Sequence, residues 1–258
     1  FFLTPPARLR RALTGRRAEA LDRHGKYLVA RLDDGSRFVL HLGMTGQLFS
    51  STATSPRLLR AAARGALAPD AQLRFTPDRH THLRLRFADG GPEVWMRDAR
   101  KFGKALWLAP GASDARLDRL GPDALAADGG QLFVASRGRR VAVKSLLLDQ
   151  AVLAGVGNIY ADEALFFAGV RPTRAAGRVT RAEWERIASA LRRVLLRSIE
   201  TGGSSISDYL APDGRDGAYQ DERRVYDRAG APCRRCATPI RRLVIGARSS
   251  HYCPRCQR

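Results

Sequence analysis

The sequence predicts an α+β protein with several domains: an N-terminal β-sandwich, a helical region and a small C-terminal hairpin rich in cysteine. Three observations indicate this fold class. Residues 8–108 contain short strand-like runs, residues 132–200 have helical periodicity, and every cysteine lies after residue 232. A length of 258 residues suits one large or two modest domains, and we place the domain boundaries at residues 1–122, 132–222 and 223–258.

The composition is strongly basic, with 45 Lys and Arg against 25 Asp and Glu and a net charge of +20. A hydrophobic content of 44% can supply a packed core, which argues against wholesale disorder. No apolar run reaches the roughly 18 residues that a membrane-spanning helix needs, so we expect no membrane association. Nucleic acid is the leading partner because such a field attracts phosphate backbones. A merely solvated basic surface remains the alternative.

The first half of the chain has the pattern of an antiparallel β-structure. Residues 26–32 and 37–42 flank an Asp-Asp-Gly-Ser turn and predict a hairpin. Residues 50–72 are rich in Ala, Ser, Pro and Arg and predict a variable loop. Further strands are expected at residues 82–87, 93–97 and 104–108. These strands predict a sandwich or barrel.

The second half predicts helices. An apolar helix over residues 142–153 is interrupted at Gly155–Asn158 and resumes over residues 159–168. A long helix then follows a capping box of Thr180 and Glu183. Its predicted core stripe consists of Trp184, Ile187, Ala188, Leu191, Val194, Leu195 and Ile199. The polar, glycine-rich segment up to Gln220 is expected to be a functional loop.

Two CxxC pairs form the strongest local signal in the chain. The spacing of Cys233, Cys236, Cys253 and Cys256 is typical of one tetrahedral zinc ion held by four thiolates. Two disulfides or a redox pair are the alternative. We expect a β-hairpin between the pairs, with Pro239, Ile240, Leu243, Val244 and Ile245 in its strands. The richness in arginine indicates nucleic-acid binding by this ribbon, although a purely structural ribbon is the other interpretation.

Two turns carry side chains suited to probing a base stack. Met44 lies in a Gly-Met-Thr-Gly turn directly after a strand, where an apolar tip can act as a wedge between bases. Arg100 and Phe102 occupy a second turn and could fill the gap left by an extruded base. The alternatives are a buried turn methionine and a phenylalanine in the sandwich core. The chain also has only four lysines, Lys26, Lys101, Lys104 and Lys144, and lysine can lose a proton where arginine stays charged.

These motifs together make the chain resemble the bacterial formamidopyrimidine-DNA glycosylase (MutM) family. The resemblance covers nearly the whole chain and rests on GKYL from Gly25, HLGMTG from His41, RKFG from Arg100, GVGNIYADE from Gly155, TGGS from Thr201 and HYCPRCQ from His251. It implies a β-sandwich, a helix-two-turn-helix DNA-binding domain and a C-terminal zinc-ribbon finger. It further implies a base-excision-repair glycosylase with AP lyase activity that removes oxidised purines from damaged double-stranded DNA, through a Schiff base and β,δ-elimination.

The resemblance also assigns roles to individual residues. Lys26 corresponds to the lysine of β-elimination, and Arg248 to the zinc-finger arginine of phosphate contact and δ-elimination. The void-filling residues are Met44, Arg100 and Phe102, and the DNA contacts are His80, Arg100, Arg139, Lys144 and Asn158. Residues 204–220 correspond to the lesion-capping loop. One structural zinc ion, a monomeric state and a cytoplasmic, nucleoid-associated location are expected.

The beginning of the chain departs from the family pattern. The family starts with a proline whose amine attacks the sugar, followed by glutamate, whereas this sequence begins Phe1-Phe2-Leu3. We therefore expect a trimmed or incomplete sequence of an active enzyme, without the first strand and helix of the family's sandwich.

Three other functions are considered. An endonuclease VIII-like glycosylase for oxidised pyrimidines would share the fold, but the set of Met44, Arg100 and Phe102 favours the purine branch. A non-catalytic zinc-ribbon DNA-binding protein is favoured if Phe1 is the true start. An RNA-binding, translation-associated zinc ribbon would be equally basic but would not need the two wedge turns.

Overall fold

The computed structural model describes residues 1–52, 77–204 and 217–258. Two compact units make up the chain. The first unit comprises Phe1–Ser113 with Thr201–Gln220, and the second comprises Asp114–Glu200 with Asp221–Arg258. The predicted loop at residues 50–72 and the predicted lesion-capping loop at residues 204–220 fall largely outside the described residues. Within the described residues, no helix combines the length and apolar character needed to cross a bilayer.

The first unit begins with a helix that the sequence pattern did not predict. Helix α1 spans Pro6–Leu13, and its proline at the first turn suits a helix start because that position needs no hydrogen-bonding N–H. Leu9 of α1 is buried in the core of the unit. Ahead of α1, Phe2 forms a parallel bridge to Ala105. The expectation that residues from about 8 onward are mostly strand is therefore wrong for this first segment.

In the described part of the first unit, seven antiparallel strands build two sheets. One sheet has the order β1-β2-β3-β7 and the other the order β4-β6-β5. The strands are β1 (Ala18–His24), β2 (Tyr27–Leu32), β3 (Arg37–His41), β4 (Gly46–Ser50), β5 (Thr81–Leu85), β6 (Val94–Asp98) and β7 (Lys104–Leu108). The predicted hairpin and the three later predicted strands are all present, with shifts of one or two residues at their ends.

The core of this unit lies between the two sheets. Phe38 and Leu40 of β3 meet Met96 of β6 in one buried cluster, which Leu48 of β4 and Leu83 of β5 extend. Packing of one sheet against the other removes these side chains from water. This arrangement confirms the β-sandwich.

The second unit is helical and ends in a small β-hairpin. Its helices are α2 (Ala115–Asp118), α3 (Gly129–Ser136), α4 (Val143–Leu148), α5 (Asn158–Ala168), α6 (Arg181–Glu200) and α7 (Tyr219–Glu222), the last of which straddles the boundary between the units. Two short 3₁₀ turns lie at Ala124–Ala126 and Ala176–Arg178. Strands β8 (Arg241–Ile245) and β9 (Arg248–Tyr252) form the terminal hairpin.

The helix predicted over residues 142–153 ends earlier than expected, at Leu148. The Asp149 side chain accepts a hydrogen bond from the Ala151 N–H, a local bond that competes with continuation of a helix. The Gln150 side chain then organises the glycine-rich link to α5. Its amide nitrogen donates to the Val156 carbonyl, and its oxygen accepts from the Gly155 N–H.

Helix α6 begins at the predicted capping box. The Thr180 N–H donates to Glu183 Oε2 at 2.8 Å, and the Glu183 N–H donates back to Thr180 Oγ1 at 3.3 Å. Trp184 and Leu191 lie at the centre of a core shared with α3, α4 and α5. Ile199 is an exception to the predicted stripe, because it is 63% exposed at the end of the helix.

The terminal hairpin is shorter than predicted. Pro239 and Ile240 precede β8, and Pro239 forms an isolated bridge with Pro232. A proline lacks the N–H that a continuous ladder needs, which explains why the strand starts only at Arg241. The turn between β8 and β9 has two central residues, Gly246 and Ala247, both with positive φ, which is the geometry of a type I′ turn.

We predict that Thr180→Ala lowers the free energy of unfolding by about 1 kcal/mol, because it removes the side-chain oxygen that caps α6. Urea denaturation followed by circular dichroism measures this loss. Thr180→Ser retains the hydroxyl and is expected to unfold like the parent protein. Equal stability of the alanine and serine variants would contradict a capping role.

Candidate nucleic-acid interface and metal centre

Lys26 lies at the tip of the hairpin between β1 and β2. His24 pairs with Tyr27, so the turn contains only Gly25 and Lys26, and Gly25 has a φ of +57°. Glycine in the left-handed region at the first central position is typical of a type II′ turn. The turn therefore projects Lys26 into solvent from a two-residue loop of defined shape.

A row of polar side chains continues from this hairpin across the sheet. Tyr27, His41 and Lys104 are direct partners on β2, β3 and β7. The rings of Tyr27 and His41 are 4.7 Å apart, and His41 Nδ1 accepts the N–H of Gly43 at 3.1 Å. Burial, together with the charges of Lys26 and Lys104, lowers the pKa of His41. A neutral His41 fits its role as an acceptor for the turn that carries Met44.

Met44 and Phe102 project from two turns in contact with each other. Met44 is 66% exposed and Phe102 is 50% exposed, so neither belongs to the sandwich core. The alternatives of a buried turn methionine and a core phenylalanine are therefore wrong. The guanidinium of Arg100, itself exposed, lies 5.3 Å from the centre of the Phe102 ring. An added Cβ at Gly43 would lie 2.7 Å from the Phe102 carbonyl carbon, which shows how closely the two backbones approach.

Asp98 lies beneath these two turns and is fully buried. Its carboxylate accepts a hydrogen bond from Thr45 Oγ1 at 2.5 Å and from the N–H of Gly103 at 2.7 Å. A third, longer bond comes from the Arg100 N–H at 3.3 Å. Burial acts to raise the pKa of Asp98, but the hydrogen bonds from Thr45 and Gly103 outweigh it and the pKa lies below its ordinary value.

His80 lies in a tight turn ahead of β5 and is half-buried. Asp78 fixes this turn, because its carboxylate accepts the His80 N–H at 3.0 Å and the Arg97 Nε–H at 3.0 Å. The Asp98 N–H donates to the His80 carbonyl at 2.9 Å. The turns with Met44, with His80 and with Arg100 and Phe102 thus lie together around one end of β6.

The four cysteines of the second unit converge on one point. Their sulfur atoms all lie within 4.8 Å of one another, and none is paired in a disulfide. Individual separations include 3.4 Å between Cys236 and Cys256 and 4.0 Å between Cys233 and Cys256. Four thiolates about 2.3 Å from a tetrahedral zinc ion would be about 3.8 Å apart. The donor set therefore fits zinc, and the disulfide alternative does not fit these distances.

Lys144 occupies a different environment from the one predicted. Its side chain is fully buried on α4, and its Nζ lies 2.7 Å from Asp162 Oδ1 and donates to the Ser249 carbonyl at 2.8 Å. Burial lowers the pKa of Lys144, and the Asp162 carboxylate opposes this shift. The buried ammonium presents no surface to a phosphate. The expected direct DNA contact of Lys144 is therefore corrected to an internal contact that holds β9.

Asn158 and Arg248 lie on either side of the same anchor. Asn158 is the first residue of α5, and its Nδ2 donates to the Ser249 carbonyl at 3.0 Å. Arg248 is exposed and directly precedes Ser249 at the start of β9. Among the described residues, no side chain caps the N-terminus of α5. A helix N-terminus with uncapped amides and an exposed arginine on the adjoining strand together form a suitable anion site.

Two consecutive acids of α5 hold the terminal module. Asp162 accepts the Ser250 hydroxyl at 2.9 Å and the His251 N–H at 2.8 Å. Glu163 accepts three backbone N–H groups, those of Arg224, Val225 and Tyr226, at 2.8 to 2.9 Å. Burial raises the pKa of Glu163, and the three N–H donors act in the opposite direction. The segment ahead of the first cysteine pair and the strand ahead of the second pair are thus fixed to one helix.

Arg139 lies in the exposed segment between α3 and α4. Its Nε–H donates to the Ala135 carbonyl at 3.1 Å, which folds the side chain back over the end of α3. Its own carbonyl accepts the Gly177 N–H at 2.9 Å. The structure does not bring Arg139 into the cluster of Lys144, Asn158 and Asp162.

Three family models match the chain. The N-terminal domain of formamidopyrimidine-DNA glycosylase matches residues 2–105, and the H2TH domain of the same enzyme matches residues 120–209. The zinc finger found in FPG and IleRS matches residues 230–258. Similar relatives are the formamidopyrimidine-DNA glycosylases of Alkalilimnicola ehrlichii, at 44% identity over 98% of this chain and 87% of the relative, and of Methylococcus capsulatus, at 42% over 98% and 86%. The chain belongs to the formamidopyrimidine-DNA glycosylase family.

Solved structures of this family have the same fold. The MutM (Fpg) protein of Thermus thermophilus is 37% identical, with a TM-score of 0.78 over 94% of this chain and 84% of that one. The Lactococcus lactis Fpg in complex with DNA containing an abasic site is 28% identical, with a TM-score of 0.81 over 100% of this chain and 88% of that one. The four clustered cysteines are the zinc site of the family's finger.

Sequence reasoning missed the acids that organise both parts of the candidate interface. Asp98, Asp162 and Glu163 are buried, and each accepts backbone N–H groups. Asp98 binds the turn with Arg100 and Phe102, Asp162 binds β9 close to Arg248, and Glu163 binds residues 224–226 ahead of the first cysteine pair. A usable signal was present. Asp162 and Glu163 lie within a quoted motif and Asp98 lies two residues before another, in a chain where acidic residues are outnumbered by basic ones.

We predict that removing zinc disorders the β8–β9 hairpin and abolishes duplex binding, because the four thiolates hold both knuckles. Zinc released by a mercurial reagent is expected at one equivalent per chain, and fluorescence anisotropy measures DNA binding before and after release.

Re-addition of zinc should restore binding to the parent protein but not to Cys253→Ser. Full DNA binding by the zinc-free protein would contradict this prediction.

Proposed function

We propose that this chain works as a base-excision-repair DNA glycosylase with AP lyase activity, which removes oxidised purines such as 8-oxoguanine and formamidopyrimidines from double-stranded DNA. One observation carries the proposal. Two apolar side chains, Met44 and Phe102, stand exposed on adjoining turns of a chain with a net charge of +20. Exposed apolar tips in a field that attracts phosphates suit insertion into a base stack.

Recognition begins with electrostatics. Exposed arginines, which include Arg100, Arg139 and Arg248, attract the phosphate backbone. Met44 then enters the stack, while Arg100 and Phe102, already in contact with each other, occupy the space from which the damaged base leaves. His80 contacts DNA beside them. Insertion removes the two apolar side chains from water, which offsets part of the cost of unstacking.

The phosphate site of the second unit holds the backbone. Asn158 and the N-terminus of α5 provide N–H donors, and Arg248 adds a charge from β9. Lys144 supports this site from within by fixing the Ser249 carbonyl. Zinc acts structurally here, because four thiolates leave no coordination position for water.

The chemistry assigned to this family is attack of an amine on the sugar C1′, which displaces the base and leaves a Schiff base. The family supplies that amine from an N-terminal proline. Within the 258 residues, Lys26 is proposed to assist β-elimination, and its exposed position at a hairpin tip allows it to reach a substrate. Arg248 is proposed to assist δ-elimination at the phosphate. We further propose a monomer that acts on nucleoid DNA in the cytoplasm.

An endonuclease VIII-like preference for oxidised pyrimidines is the second candidate. The exposed set of Met44, Arg100 and Phe102 favours purines, because this trio matches the void-filling residues of the purine-specific branch that the sequence resembles. Direct competition between 8-oxoguanine and an oxidised pyrimidine in the same duplex context would distinguish the two preferences.

Borohydride trapping tests the proposed reaction. We expect the full product of the gene to form a covalent adduct on a duplex with 8-oxoguanine opposite cytosine, because borohydride reduces a Schiff base to a stable amine. The 258-residue chain is assayed in parallel. An undamaged duplex is the control, and the absence of an adduct with both forms would overturn the proposal.

Arg248→Ala should weaken binding to damaged and undamaged duplexes alike, by about tenfold, because a phosphate contact carries no sequence information. The slope of log affinity against log salt should fall by about one. Arg10→Ala is a matched control, since Arg10 is exposed on α1 and lies in none of the predicted DNA-contact segments. A change in affinity without a change in slope would argue against a phosphate contact.

A further inference from the structure

We propose that Asp98 is a positioning residue for lesion recognition, which holds the Met44 turn and the Phe102 turn in one fixed relation. The inference rests on the proposed function, because it assumes that both side chains enter DNA. Asp98 itself is 0% exposed and cannot touch a substrate, so it acts through the two turns.

The Phe102 turn depends on Asp98 for its shape. The Asp98 carbonyl accepts the Lys101 N–H at 3.3 Å, and its carboxylate accepts the N–H groups of Arg100 and Gly103. Lys101 has a φ of +57°, which costs a residue with a side chain free energy. An added Cβ at Gly103 would lie 3.0 Å from Asp98 Oδ2 and 2.6 Å from Met96 Cε. The carboxylate thus sits directly under the turn and stabilises a strained backbone.

The Met44 turn reaches the same carboxylate through Thr45. Gly46 pairs with Asp98 across β4 and β6, so the end of the turn is already next to the acid. The Thr45 hydroxyl donates to Asp98 Oδ1 at 2.5 Å, and Thr45 is 6% exposed. The turn itself closes with a bond from the Gly46 N–H to the Leu42 carbonyl at 2.9 Å. Thr45 therefore connects the turn with Met44 to the turn with Phe102.

A carboxylate suits this junction better than a neutral group. One acid accepts at least three donors that come from two different turns, and it has no donor of its own to oppose them. Hydrogen bonds to a charged acceptor in a buried site are also stronger than neutral ones. The two exposed tips are consequently held at a fixed spacing before DNA binds, which lowers the ordering cost of insertion.

A double-mutant cycle tests this role in the full chain. Thr45→Val is nearly isosteric and removes only the bond to Asp98. The probe is a duplex with a tetrahydrofuran abasic-site analogue, compared with the undamaged duplex of the same sequence. We expect Thr45→Val to reduce the preference for the tetrahydrofuran duplex by about tenfold, with affinity for the undamaged duplex unchanged. Thr45→Ser retains the hydroxyl and should restore the preference.

Coupling to Met44 separates positioning from general stability. If Thr45 acts through Met44, the variant with both Met44→Ala and Thr45→Val binds no more weakly than Met44→Ala alone. Additive losses, or a parent-like preference of Thr45→Val, would overturn the positioning role while the proposed function stands. A parent-like preference of Met44→Ala would instead show that the wedge itself is wrong, and the positioning role would fall with it.

Asp98→Asn provides a second, broader variant. It removes the charge and replaces one of the two oxygens that together serve both turns by an NH2 donor, which faces the donors of the turns. Met44→Ala should therefore mask only part of its effect, and Met44→Ala with Phe102→Ala should mask all of it. Circular dichroism establishes that each variant is folded. A loss of preference by Asp98→Asn that persists in the background without Met44 and Phe102 would overturn the proposal.

Discussion

The order of the candidate interface depends on buried carboxylates. In a chain with 45 basic and 25 acidic residues, three of the acids within the described residues are fully buried, namely Asp98, Asp162 and Glu163. A buried carboxylate without partners is costly, so the segments around it are confined to arrangements that supply donors. Those segments carry the exposed cations and apolar tips. The abundant positive charge can therefore face solvent while the local backbone stays fixed from within.

In the second unit, buried carboxylates fix a whole module to a helix. Asp162 and Glu163 are neighbours on α5, yet Asp162 binds β9 and Glu163 binds the segment that begins at Arg224. Zinc ligation closes the knuckles, and the two acids orient the closed module on the helix. Zinc ligation and the two acids are both needed. Zinc does not specify how the hairpin lies on α5, and the acids do not close the knuckles.

The sequence predicted the features that depend on local spacing. Zinc ligands follow from two CxxC pairs, the start of α6 from Thr180 and Glu183, and the exposed turn tips from glycine-rich motifs after strands. For features that depend on long-range packing, the prediction was either wrong or absent. Nothing near Lys144 indicates its burial, because its partner Asp162 lies 2.7 Å away only after α4 and α5 pack. Asp98 meets Thr45 only because β4 and β6 pair.

The side chains proposed to enter DNA, Met44 and Phe102, can stay exposed because their turns are fixed at the base. An apolar side chain in water gains free energy by collapsing onto neighbouring surface, and a loosely held turn would allow Met44 and Phe102 to do so. Hydrogen bonds beneath the turns prevent that movement, since collapse would leave buried donors without acceptors. The same argument applies to Arg248. Its side chain is exposed, and the carbonyl of the adjacent Ser249 is held by Lys144 and Asn158. In each unit, the surface suited to DNA is therefore prepared by polar contacts that fix the backbone beneath it.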